Sequence, residues 1–275
     1  MEMTFASFIL FSLLLFQFSI GSNAGEINKR YVRNDHTYCA EHEEDHDGHH
    51  CLDPRLSVFF RIDDLYVGKK MPIHFATNDN STRLLTQEEA DSIPFSSSKL
   101  PYIFQLLSIS YNSPQAENMA STLEFCELEA EKGEVKFCAT SLESLLDKTN
   151  GIFNNAKPKV LTTKILNSNH TLFQMYTFVK KPLEIHAPEM VVCHTMAYPY
   201  MVYYCHGTKG PYKRLYKIAL DGENGERVDA VAVCHMDTST WDRDHAAFRA
   251  LGGVPRSYPV CHFLPADNLA WIPST

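Results

Sequence analysis

No apolar run beyond residue 18 of this 275-residue chain is long enough to cross a bilayer, since a spanning helix needs about 20 apolar residues. The spacing Cys-x-x-Cys of structural zinc sites is missing from its cysteine pairs. The first half of the globular part has no nucleophile elbow, phosphate loop or paired-carboxylate motif, and so no common catalytic signature. Basic residues are in deficit, 25 Lys and Arg against 33 Asp and Glu, a formal charge of −8. That balance argues against a nucleic-acid partner.

What is present begins with an apolar stretch, Phe5 to Phe18, followed by the small residues Gly21-Ser22-Asn23-Ala24. This reads as a secretory signal peptide over residues 1–24, although Glu2 stands where a basic residue is usual. Its removal takes away one acid and leaves a charge of −7. No membrane association is expected after that removal. Entry into the secretory route makes the even count of eight cysteines meaningful, because oxidising compartments favour disulfides. It also exposes two sequons, at Asn80 and Asn169, to glycosylation. The expected destination is a vacuole or the extracellular space and cell wall.

Residues 25–54 form an acidic, histidine-rich segment without apolar periodicity. Between Cys39 and Cys51 lie four histidines and five acids. Such a loop attracts divalent metals weakly, but the favoured reading is a solvated segment closed by a Cys39–Cys51 disulfide. From Leu56 the pattern becomes that of a folded domain. Val58 to Ile62 and Met71 to Phe75 read as strands. Thr86 to Glu89 and Thr140 to Glu143 have capping-box spacing, and Ser113 to Glu131 is rich in helix formers after Pro114. Cys126 and Cys138 are expected to join two helices through a disulfide. Lys159 to Thr163 and Leu172 to Val179 read as strands, and Thr238 to Leu251 as a capped helix. The expected class is α+β, one disulfide-stabilised domain over residues 55–275, with helices in its first half and a strand-rich second half.

Four copies of a two-residue unit dominate that second half: Cys193-His194, Cys205-His206, Cys234-His235 and Cys261-His262, separated by 10, 27 and 25 residues. Apolar, β-prone residues precede each, so each is expected at or near the end of a strand. Neighbouring side chains on a strand point to opposite faces. The cysteines can therefore share one face, where four allow three disulfide connectivities, while the histidines converge on the other. Sulfur and nitrogen binding zinc together, disulfides beside merely polar histidines, and disulfides beside a histidine-bound redox metal are three competing readings. Thiolate-free imidazoles suit copper without tying it to Cu(I).

These pairs and gaps, with Phe59-Phe60 and the Thr140-Ser-Leu-Glu-Ser-Leu stretch, resemble the plant BURP-domain family over residues 55–275. Val202-Tyr-Tyr-Cys-His-Gly207, Val233-Cys-His-Met-Asp-Thr-Ser-Thr-Trp241 and Pro259-Val-Cys-His-Phe263 are most similar to its seed-protein branch. The resemblance implies one of two roles. Some members are copper-dependent peptide cyclases that link a Trp or Tyr side chain oxidatively to a nearby carbon of a ribosomal peptide. In those members the paired-motif histidines hold the metal, which corresponds here to His194, His206, His235 and His262. The cofactor would be Cu(II), with molecular oxygen as oxidant, and the partner a precursor peptide. Other members are non-catalytic seed, stress or storage-vacuole proteins. Trp241 and Trp271 lie inside the domain, and no repeated core peptide precedes it, so a separate substrate peptide is expected. His245 is the extra candidate for acid–base work, with an exposed helix histidine as the plainer alternative.

Overall fold

The computed structural model describes residues 54–76, 83–130, 133–154, 157–167, 171–210 and 212–274. The expected signal peptide, the acidic segment with Cys39 and Cys51, and the sequon residues Asn80 and Asn169 lie outside the described residues.

Short strands and short helices alternate at first: β1 (Phe59–Arg61), β2 (Lys70–His74), α1 (Gln87–Asp91), α2 (Leu100–Leu106), α3 (Pro114–Glu127), β3 (Glu134–Ala139) and α4 (Leu142–Ile152). Then come β4 (Lys159–Leu161), β5 (Lys164–Ile165), β6 (Phe173–Phe178), β7 (Leu183–Ile185), β8 (Glu189–Met196), β9 (Val202–Lys209), β10 (Lys213–Gly222) and β11 (Arg227–His235). The chain closes with α5 (Ala246–Leu251), β12 (Val260–Leu264) and β13 (Leu269–Ile272). The fold is thus mixed and strand-rich, as expected, but helices are not confined to the first half. Strands β1 to β3 lie there too, and α5 sits among the later strands.

Local chemistry explains the helix starts. The Thr86 hydroxyl accepts from the Glu89 N–H and the Glu89 carboxylate accepts from the Thr86 N–H, a closed capping box on α1. Ser113 caps α3 just before Pro114, whose missing N–H costs nothing at that position. Ser141, one residue later than expected, caps α4. The expected helix over 238–251 shrinks to Ala246–Leu251. Asp237 and Asp242 accept from the N–H groups of Ser239 and Asp244, two residues on, and these side-chain turns displace the helix.

Every strand pair is antiparallel. One sheet runs β1-β12-β11-β10-β6-β2, with β5 on β11 and β7 on β10; the other runs β3-β9-β8-β13-β4. Both sheets contribute to one buried cluster. Met190, Val192 and Ala270 of the smaller sheet meet Leu215, Val231, Val233 and Leu264 of the larger. The sheets therefore pack face to face. Their outer faces are also covered. Phe60, Phe75, Tyr176, Phe178 and Phe263 fill one outer layer, and Leu145 of α4 and Trp271 help fill the other. No helix among the described residues is long and apolar enough to cross a membrane.

Three disulfides are described: Cys126–Cys138, Cys193–Cys205 and Cys234–Cys261. The first ties α3 to strand β3, a correction to the expected helix–helix link, because the turn at Gly133 leads into an extended segment that pairs with β9.

Candidate functional site

All four Cys-His units lie on strands. Cys193-His194 is on β8, Cys205-His206 on β9, Cys234-His235 at the end of β11 and Cys261-His262 on β12. Two of them are well inside their strands rather than at the ends. Alternation then divides the labour. Cys193 stands directly opposite Cys205, and Cys234 opposite Cys261, each pair bonded on the covered outer face of its sheet. The histidines share the inner face with Val192, Val231, Val233 and Leu264, and lie at one margin of the layer between the sheets.

The two halves of the site are built alike. His194 is paired with Tyr204 in the register and His206 with Val192, so the two imidazoles meet diagonally. Their Nε2 atoms are 3.4 Å apart. In the other sheet His235 pairs with Val260 and His262 with Val233, and again Nε2 faces Nε2 at 3.4 Å. His194 and His262, with ring centroids 5.7 Å apart, bring the halves together across the layer.

Burial sets the charge state. Removal from water holds the His194 and His235 imidazoles well below the usual histidine range, and neighbouring imidazoles and Lys213 act in the same direction. Burial likewise pushes His262 down to about 4. His206 is lowered chiefly by burial, against the pull of Glu134, which accepts from its Nδ1 at 3.2 Å. The rings are enclosed by protein yet not sealed; His206 keeps 17% of its side-chain surface accessible. All four are neutral near pH 7, the state in which imidazole binds metals.

The donor set fits an imidazole-bound metal. Two nitrogens at about 2.0–2.1 Å from one tetrahedral ion stand about 3.3 Å apart, close to the 3.4 Å within each pair. As they stand, however, no three His, Cys, Asp or Glu side chains among the described residues close around a metal position. The imidazoles meet as two hydrogen-bonded pairs instead.

Several neighbours escaped the sequence reading. Lys213 is the cross-strand partner of His235 and adds its charge to all four imidazoles. The hairpin turn at Gly222 to Glu226 fixes that register, so counting back from it would have found this lysine. Glu134 and Asn268 reach His206 and His194 from β3 and from the turn before β13, and no local motif announces them. Tyr204 stacks on His206 with centroids 5.3 Å apart. His245 is not an exposed helix histidine. It caps α5, with Nδ1 accepting from the Ala247 N–H, and packs 4.2 Å from the Trp241 ring. Burial lowers it to about 4. Trp241 in turn lies edge-on to His235 at 4.9 Å, so this tryptophan borders the site and only Trp271 is fully in the core.

Gly207, next to His206, is held there by space. A Cβ would meet the Met190 carbonyl oxygen at 2.4 Å. Gly207→Ala is expected to part β8 from β9, to destabilise the protein by about 1–3 kcal/mol, and to weaken the His206–Glu134 bond. Thermal denaturation checks this, and an unchanged midpoint would contradict it.

The family model for the BURP domain matches residues 58–273. The chain belongs to the BURP-domain family. Similar relatives include the BURP domain-containing protein BNM2C of Brassica napus and the BURP domain protein USPL1 of Arabidopsis thaliana. Each is 47% identical over 230 residues, covering 80% of this chain and 81% of the relative. The BURP domain protein RD22 of Arabidopsis thaliana is 36% identical over 239 residues, 86% of this chain and 59% of the relative. These likenesses are consistent with the seed-protein branch of the family. They place the paired histidines inside a matched BURP domain that covers most of the chain.

Proposed function

We propose that this BURP domain binds copper through its paired-motif histidines and oxidatively crosslinks a Trp or Tyr side chain of a separate peptide to a nearby carbon. The observation that carries the reading is the gathering of four neutral imidazoles, two from each sheet, at one margin of the inter-sheet layer. Copper would supply one-electron oxidation, which no side chain provides. The net change is the loss of two hydrogens from the peptide as one new bond forms, with dioxygen taking the two electrons and two protons. The chain's own part is to hold the imidazoles neutral and fixed, and to keep the reacting groups together. Tyr204 and Trp241 flank His206 and His235 and offer aromatic surface to a peptide ring.

The test is to incubate copper-loaded mature protein with Trp- and Tyr-bearing peptides under air and read mass. Products lighter by two hydrogens are expected, together with stoichiometric copper that falls in single His→Ala variants of His194, His206, His235 and His262. No such product across a broad peptide panel, with no bound copper, would sink the proposal. A non-catalytic secreted or storage-vacuole role is the second reading. It is favoured by the closed pairs themselves, since each buried imidazole already has a hydrogen-bond partner without a metal.

A further inference from the structure

The four histidines are not equivalent, and the difference starts at Asn268. Its side chain is buried, with 6% of its surface accessible. Its Oδ1 accepts from the Thr195 backbone N–H at 3.1 Å and lies 3.4 Å from the Thr195 hydroxyl. An N–H must meet an oxygen, so the amide orientation is fixed by the backbone, and the NH2 end is the one 3.0 Å from His194 Nδ1. An NH2 group only donates. His194 Nδ1 must therefore carry the lone pair, and in a neutral ring the proton then sits on Nε2.

The partner ring is set the other way. Glu134 accepts from His206 Nδ1 at 3.2 Å, so His206 Nε2 carries the lone pair that receives the His194 N–H. A directed chain runs Asn268 to His194 to His206 to Glu134. The second half-site repeats the polarity. The Phe263 carbonyl, 3.3 Å from His262 Nδ1, accepts a proton there, which leaves His262 Nε2 as the acceptor from His235. In each sheet one histidine points a lone pair at the site and the other points a hydrogen.

We propose that Asn268 is a positioning residue that holds His194 in the Nε2–H form in the metal-free protein, so that His206 and His262 present metal-ready nitrogens while His194 donates to His206 and must give up its Nε2 proton before it can join them. Metal-bound histidines usually donate their other N–H to a carboxylate or carbonyl. His206 and His262 have that arrangement, and His194 has its reverse. Where a metal is concerned, the inference rests on the proposed function; the proton arrangement does not.

Asn268→Asp tests both parts, because a carboxylate still accepts from Thr195 but now also accepts from His194. The first readout is the nitrogen NMR spectrum of the metal-free protein at pH 8, where a lone-pair nitrogen resonates far downfield of an N–H nitrogen. His194 Nδ1 should show lone-pair character in the wild type and gain a proton in Asn268→Asp. The second readout is Zn(II) binding by equilibrium dialysis, with Zn(II) as a redox-inert probe. It should tighten by at least about tenfold, the usual scale of a second partner's effect. Added charge alone would also raise affinity, but it would not move the proton in the metal-free protein. A protonated His194 Nδ1 in the wild type overturns the assignment even if the variant fails to fold, and so does an unchanged His194 in a folded variant. If the proton moves and neither protein binds Zn(II) or Cu(II), the positioning role stands and the proposed function falls.

Discussion

Replacing Cys234 and Cys261 together by alanine lowers the unfolding free energy by about 3–4 kcal/mol, the loop-entropy value for a bridge that closes this many residues. The pair spans 27 positions and ties β11 to β12 one residue before His235 and His262. Removing Cys193–Cys205, which spans 12, should cost slightly less, about 3 kcal/mol. Both pairs are fully buried, so the alanines also leave unfilled volume. The ranking therefore matters more than either figure. Guanidinium titration of the two double variants measures it. A loss below about 1 kcal/mol for Cys234 and Cys261 would show that the β11–β12 pairing is held without its bridge. A reversed order would show that packing around Cys193 and Cys205 outweighs loop length.

Acid is the second large lever. An imidazole lowered by burial binds its proton more readily in the unfolded chain than in the folded one. Stability is then fully present above the unfolded value of about 6.5 and is lost as pH falls. For His262 the fall runs from about 6.5 down to its folded value of about 4, and levels off below that. This ring alone is worth on the order of 3 kcal/mol. His245, also near 4, adds in the same direction, as do His194 and His235, which burial holds well below the usual histidine range. The metal-free protein should thus show a flat melting temperature above pH 7 and a steep decline between pH 6.5 and 4. His262→Gln, which removes a titrating group, should make the decline shallower. A curve that stays flat from pH 7 to 4 would mean that the imidazoles reach water freely on protonation.

Much of this site was readable along the chain because its signals are local. Alternation alone separates Cys193 from His194 and Cys234 from His235 onto opposite faces, and an even cysteine count behind an apolar leader led to the expectation of bridges. The connectivity was not readable. It depends on which strands are neighbours, and β12 pairs with β11 after a long excursion through α5. The partners of the imidazoles were hidden for the same reason. Glu134 lies 72 positions before His206, and Asn268 lies 74 after His194. The overlong helix expected over 238–251 failed for a different cause, since Asp237 and Asp242 spend their acceptors on nearby N–H groups. Periodicity cannot register that competition.

The arrangement of the bridges has a consequence for assembly. Cys193–Cys205 lies wholly within the smaller sheet, Cys234–Cys261 wholly within the larger, and Cys126–Cys138 joins α3 to the smaller. Among the described residues, no disulfide passes from one sheet to the other; only the main chain does. Each histidine pair therefore sits on its own disulfide-bridged strand pair, and the two pairs meet where the apolar faces of the sheets dock. Loosening that docking would leave two intact half-sites and no whole one. The distance between His194 and His262 is thus a readout of whether the two sheets are docked.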